Sequence, residues 1–284
     1  MQIGLPMSIA RAVPGARRAS SFRGVVRLDI LVAGGLAVLA LLATYLAPTA
    51  VWPLTALLFL LGAPHGGVML KNGVARLPSA GFIVLYLAVA AIVLGLFVAS
   101  PLAGLAAFFL LSAWHFSRAE AVAGLGIFAT FAAFLLSPPQ THALIVDIAG
   151  AGRATDLMML AGKLGAVAGF IAVARVLWTK PDGDLLLRFA AVVILFALLP
   201  PLLAMAIYFF ALHSLAEYRA HAGPQPERAA LLFLPVGVPV VIGGAALYLA
   251  TLLGLVSVPL MAGLALALAI PHMLDEALRP QPQI

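Results

Sequence analysis

The chain has 284 residues, of which 64% are hydrophobic and only 9% charged, with a net charge of +6 and no cysteine. A soluble domain carries about 25% charged residues, so a water-facing globule is excluded and an integral membrane protein is expected. Without cysteine there is no disulfide, thiolate metal site, cysteine-ligated iron–sulfur cluster or cysteine nucleophile.

Residues 1–27 hold Arg11, Arg17, Arg18, Arg23 and Arg27 together with Pro14 and Gly15. A signal peptide has a shorter apolar region and a small-residue cleavage site. The stretch therefore reads as a disordered basic cytoplasmic tail ahead of an uncleaved first helix. Apolar runs follow at about 29–47, 51–70, 80–99, 101–118, 121–137, 157–178, 185–199, 201–218, 230–252 and 256–277. Several approach the roughly 20 residues that cross a hydrocarbon core. They show no period-2 alternation, which favours helices over a β-barrel. The expected fold is all-α, a polytopic membrane bundle of about ten helices with short loops. One transmembrane domain at 28–279 and a short tail at 280–284 complete the chain.

An amino terminus in the cytoplasm puts nearly all the basic residues on the inner side. Those loops receive Lys71 and Arg76, then Arg118, then Arg175, Lys180 and Arg188, then Arg219 and Arg228, then Arg279. Only Arg153 and Lys163 fall on or near the other side. This asymmetry is the positive-inside pattern; it gives a multi-pass protein of the cell (inner) membrane with both termini cytoplasmic. It also accounts for the net charge without a nucleic-acid partner. The outer connections are tight, at Ala47–Pro48, Ser100–Pro101, Pro200–Pro201 and Ser257–Val258. The exception is 138–156, with Pro138, Pro139, His142, Asp147, Gly150, Gly152, Arg153 and Asp156. It is expected to be a solvated connection or an interfacial lid, and His142 is left out of the candidate site.

Four of the six histidines stand apart: His65, His115, His213 and His272. They fall on the second, fourth, eighth and tenth runs, all crossing from outside to inside. Each precedes a basic residue by three to seven positions (Lys71, Arg118, Arg219 and Arg279). At 1.5 Å per residue that places all four roughly 5–10 Å inside the inner boundary. An imidazole facing lipid loses its hydrogen bonds, so intramembrane ionisable groups turn to the bundle interior. Four neutral imidazoles without a thiolate suit iron, copper or zinc. Two bis-histidine haems would need His pairs at two depths, and one depth is found, so a non-haem centre is preferred. Glu217 lies four residues after His213, and Asp275 and Glu276 three and four after His272. Such carboxylates can accept the distal N–H of a ligating His. Trp114 and Tyr208 are candidates for lining a substrate cavity. No catalytic residue beyond the ligands is expected. A metal-ion or proton transporter using the histidine layer is the rival reading, although the layer is off-centre and the outer halves of its helices carry almost no polar group.

The stretches Pro64–His65–Gly66, Trp114–His115–Phe116, His213–Ser214 and Pro271–His272–Met273 resemble, in order and spacing, the Brp/Blh family of membrane β-carotene dioxygenases. The resemblance implies an Fe(2+) enzyme that cleaves the central double bond of β-carotene or a related carotenoid with O2, giving retinal. The implied iron ligands are His65, His115, His213 and His272. Implied partners are the carotenoid, O2, the lipid bilayer and a retinal-accepting rhodopsin. Two positions depart from the family pattern. Met69 stands where an acidic residue follows the first His, and Glu217 where a second His follows the His–Ser pair. These keep open a catalytically inactive carotenoid- or retinal-binding homologue.

Overall fold

The computed structural model describes residues 18–63, 80–120, 122–216, 218 and 226–278. Among them the regular elements are helical and none is a strand. Runs of Leu, Ala and Val bring no polar side chains to satisfy the backbone, and a helix bonds its own N–H and C=O groups internally. In chain order the elements are α1 (Arg18–Leu46), a 3₁₀ turn (Pro48–Ala50), α2 (Val51–Gly62), α3 (Ala80–Ala99) and α4 (Pro101–Ala119). Then come α5 (Ala123–Leu136), α6 (Pro138–Ala149), α7 (Arg153–Thr179), α8 (Gly183–Leu198) and α9 (Pro201–Ile207). The chain runs from α9 into a π-helical segment, Tyr208–Ser214, and ends with α10 (Pro226–Leu252) and α11 (Val258–Leu278).

The helix boundaries are set by capping chemistry. Ser100 Oγ accepts the Ala103 N–H at 3.4 Å, and Pro101 occupies the first turn of α4, where a missing N–H costs nothing. The Asp182 carboxylate accepts the N–H groups of Asp184 and Leu185 at 2.9 and 3.2 Å and starts α8. Pro201 opens α9 after the extended Pro200.

Two sequence expectations change. The connection expected at 138–156 is largely helix: α6 begins at Pro138, a residue preorganised for a first turn. Thr141 Oγ1 donates to the carbonyls of Ala133 and Ser137, both at 2.9 Å, so the α5–α6 corner is satisfied from within. α6 stops at Gly150, whose φ of +86° is a glycine conformation. α1 already includes Arg18 to Arg27, part of the stretch the sequence assigns to the basic tail. Against about ten expected runs, eleven α-helices are described. By length and composition three helices can cross a membrane, Leu28–Leu46, Pro101–Ala119 and Arg153–Thr179. α5 and α6 would make a fourth crossing together but meet at 96°, and five further apolar helices are shorter.

α5 packs backbone-close on both of its neighbours. Gly126 lies against the α4 backbone: a Cβ there would sit 2.3 Å from the carbonyl carbon of Phe116. On the other side a Cβ on Gly169 of α7 would sit 2.5 Å from the Phe128 nitrogen. Small residues permit such contact between apolar helices, where dispersion replaces the hydrophobic drive. Phe128, Phe196, Leu203, Ile207 and Leu212 form the fully buried core between α5, α8, α9 and the π segment. By contrast, α7 turns Leu157, Leu160, Leu164, Ile171 and Trp178 outward, a stripe compatible with a lipid surround.

Candidate functional site

The end of α4 meets the π-helical segment through two histidines. His115 Nε2 and His213 Nε2 are 3.2 Å apart, with ring centroids at 5.1 Å and planes at 71°. Both side chains are buried, at 3% exposure. Phe116 stands edge-on to the His213 ring at 4.8 Å, and Phe209 stacks on it at 6.0 Å. These aromatics keep bulk water from the pair. Two imidazole nitrogens bound at about 2.1 Å to one tetrahedral ion sit roughly 3.4 Å apart, so the pair has the spacing of two ligands. The same separation accommodates one N–H···N hydrogen bond between neutral rings, with the proton on either nitrogen. Among the described residues no group of three or more His, Cys, Asp or Glu side chains is placed to hold a metal ion.

The remaining candidate segments lead to the same end of the bundle. Gly62, the last residue of α2, packs on the π segment: a Cβ there would meet the Phe209 ring at 2.6 Å and Ser214 Oγ at 3.2 Å. The Tyr218 hydroxyl donates to the Leu61 carbonyl at 3.4 Å. His65 lies outside the described residues, as does Glu217. His272 is on α11, whose Met273 sulfur accepts from Ser112 Oγ at 3.9 Å. Ser112 is one turn before His115 on α4, so α11 reaches the level of the pair. Asp275 and Glu276 are in the last two turns of α11, and their side chains, like that of His272, lie outside the described part of the structure. The structure thus brings His115 and His213 together and carries α2 and α11 to their vicinity.

The two aromatic candidates separate. Trp114 is 40% exposed, with the Arg118 guanidinium 5.7 Å from its ring centroid. Tyr208, expected to line a cavity, has no exposed surface, and its hydroxyl donates to Glu120 Oε1 at 3.1 Å. With its ring enclosed and its one polar group bonded, Tyr208 serves packing and a polar network instead.

That network went unseen in the sequence. Arg188, expected among the loop charges, lies inside α8 because the Asp182 cap starts the helix at Gly183. Its Nη1 donates to Glu120 Oε2 at 3.1 Å and its Nη2 to the Leu212 carbonyl at 2.5 Å. Glu120 stands just after α4, five residues past His115, and its side chain is 4% exposed. Its signal in the sequence was an acid between two apolar runs, in a chain with only ten acidic residues.

The π segment explains how Tyr208 and His213 both face α4. In an α-helix, residues five apart are about 140° apart around the axis. Bonding from i to i+5 brings them to one side. The Phe116 ring touches both, at 5.3 Å from Tyr208 and 4.8 Å from His213.

The histidine that the sequence set apart from the site, His142, is elsewhere. It lines an open cleft of about 530 Å³ between α6 and α7 with Pro138, Asp156 and Lys163. Its Nε2 is 3.5 Å from Asp156, and both side chains are exposed.

Residues 56–275 match a family model described as beta-carotene 15,15'-dioxygenase. That span contains all four candidate histidines. No curated protein and no solved structure matches the chain.

Proposed function

The chain belongs to the beta-carotene 15,15'-dioxygenase family, and from that premise we propose that it is a membrane enzyme cleaving the central double bond of β-carotene with O2 into two molecules of retinal. In this reading Fe(2+) is held by His65, His115, His213 and His272. The observation that carries it is the buried approach of His115 Nε2 to His213 Nε2 at 3.2 Å. Two neutral nitrogen donors turned toward one point, in a chain without thiols, suit a borderline ion such as iron.

The overall reaction adds both atoms of one O2 across one C=C bond and yields two aldehydes, so no external reductant is consumed. Iron(II) would supply a spin-allowed route for O2 to react with a closed-shell alkene. The chain's own residues do the rest. His115 and His213 present Nε2, which requires both rings to be neutral with their protons on Nδ1. Phe116 and Phe209 wall the pair and exclude water. Glu217, Asp275 and Glu276 are proposed to accept distal N–H groups and fix tautomers. Trp114, with its partly exposed ring, is proposed to contact the polyene. The outward apolar stripes suit a substrate and an oxidant that both concentrate in lipid. The proposed setting is the inner membrane with both termini cytoplasmic, and the product suits a retinal-accepting rhodopsin in the same bilayer.

Expression in carotene-producing cells tests this. The reading expects loss of the orange pigment with retinal appearing in the extract. Unchanged pigment around an iron-loaded protein would contradict cleavage and identify a carotenoid-binding relative that does not cut.

A further inference from the structure

Glu120, Arg188 and Tyr208 lie beside the histidine pair, yet none belongs to the proposed ligand set. Buried charges are costly unless paired and hydrogen-bonded, and an apolar replacement of similar size is often no less stable. Stability alone therefore does not explain why an apolar chain keeps a carboxylate, a guanidinium and a phenol here. Their bonding pattern does. Tyr208 opens the π segment, and Leu212 is the residue before His213. The Tyr208 hydroxyl donates to one oxygen of Glu120, and Arg188 bridges the other oxygen to the Leu212 carbonyl. The segment is gripped at both ends by groups from outside it: Glu120 from the end of α4 and Arg188 from α8.

We propose that Glu120, Arg188 and Tyr208 are positioning residues: a brace that holds Tyr208–Ser214 in its π register and thereby keeps His213 Nε2 opposite His115 Nε2. The inference rests on the metal-centred reading of the histidines. A slip of one residue back to α-helix turns every side chain beyond it by about 100°. His213 would then leave the pair. The brace opposes that slip because Tyr208 and Leu212 are tied separately, one to Glu120 and the other to Arg188, so a change of register between them would displace one of the two bonds. Glu120 is also tied to His115 by the short path through the end of α4, so the same carboxylate references both histidines.

The test uses the full-length protein in detergent, loaded anaerobically with Fe(II), and compares wild type with Tyr208→Phe and Arg188→Lys. Phe removes a single hydroxyl, and Lys keeps the charge but cannot serve Glu120 and Leu212 as a planar fork does. The measurements are Fe(II) affinity, the electron paramagnetic resonance spectrum of the ferrous nitrosyl adduct, and the split of kcat against KM for β-carotene. Each variant is expected to bind Fe(II) on the order of tenfold more weakly, to show an altered or heterogeneous nitrosyl spectrum, and to lose kcat with KM little changed. Wild-type affinity and spectrum in both variants, with only a lower Tm, would reduce the trio to a structural contact and overturn the brace. If Arg188→Lys does not fold, Tyr208→Phe decides alone. A wild-type chain that binds no Fe(II) ends the metal reading and this proposal with it, whereas wild-type binding with unchanged variants ends the brace only.

Discussion

Among the described residues, two places pair a histidine with nearby acidic and basic groups, and they behave oppositely. At the α6–α7 cleft, His142 lies 3.5 Å from Asp156, with side chains 45% and 74% exposed, near Lys163. At the junction of α4 with the π segment, His115 and His213 are sealed by Phe116 and Phe209 and flanked by the buried Glu120–Arg188 pair. The residue types are alike; the surroundings are not. In the open cleft water screens the charges and competes for every hydrogen bond, so an ion pair there is worth little. At the sealed junction each polar group must be satisfied by the protein, so geometry is enforced and removal is costly. Burial, more than composition, separates a candidate reaction centre from a surface pair.

That contrast can be broken by substitution. The largest effect is expected for His115→Ala and His213→Ala, which should each lower iron content and β-carotene cleavage by roughly a hundredfold or more. Metal analysis and retinal quantification check this, and retention of iron by both variants would remove them from the ligand set. Next comes Glu120→Ala, which leaves Arg188 buried opposite no anion. A loss of about 3 kcal/mol is expected, read as a fall in thermal unfolding temperature in detergent. Gly126→Ala should cost about 1–3 kcal/mol, because the added carbon meets Phe116 backbone at 2.3 Å and cannot be relieved by a side-chain rotation. Since Phe116 adjoins His115, activity should fall further than stability predicts. The smallest effect belongs to the cleft: His142→Ala should leave stability within about 0.5 kcal/mol and leave retinal formation unchanged. A large loss of activity there would erase the distinction between the two regions.

Much of the architecture was readable from residue order. Apolar runs without alternation meant helices, and Pro48, Pro101 and Pro201 marked breaks that the structure makes at those positions. The sequence set His115 and His213 in one group, and their Nε2 atoms lie 3.2 Å apart. Three features stayed hidden for separate reasons. α6 was hidden because prolines and glycines read as loop, although Pro138 begins a helix as readily as it ends one. The π segment was hidden because YFFALHS has no local mark of i→i+5 bonding. The Glu120–Arg188 bond was hidden because its partners are 68 residues apart in the chain. A charge near a helix end looks like a topology signal until tertiary packing encloses it, and the same packing moved Tyr208 from a cavity wall into a network.

X-ray absorption at the iron edge, on full-length protein reconstituted anaerobically with Fe(II), reads the proposed histidine ligands themselves. A four-histidine centre gives one iron per chain with the multiple-scattering pattern of several imidazoles at about 2.1 Å, diminished in His213→Ala. Absence of bound iron, or an iron surrounded by oxygen donors alone with no imidazole scattering, would contradict it.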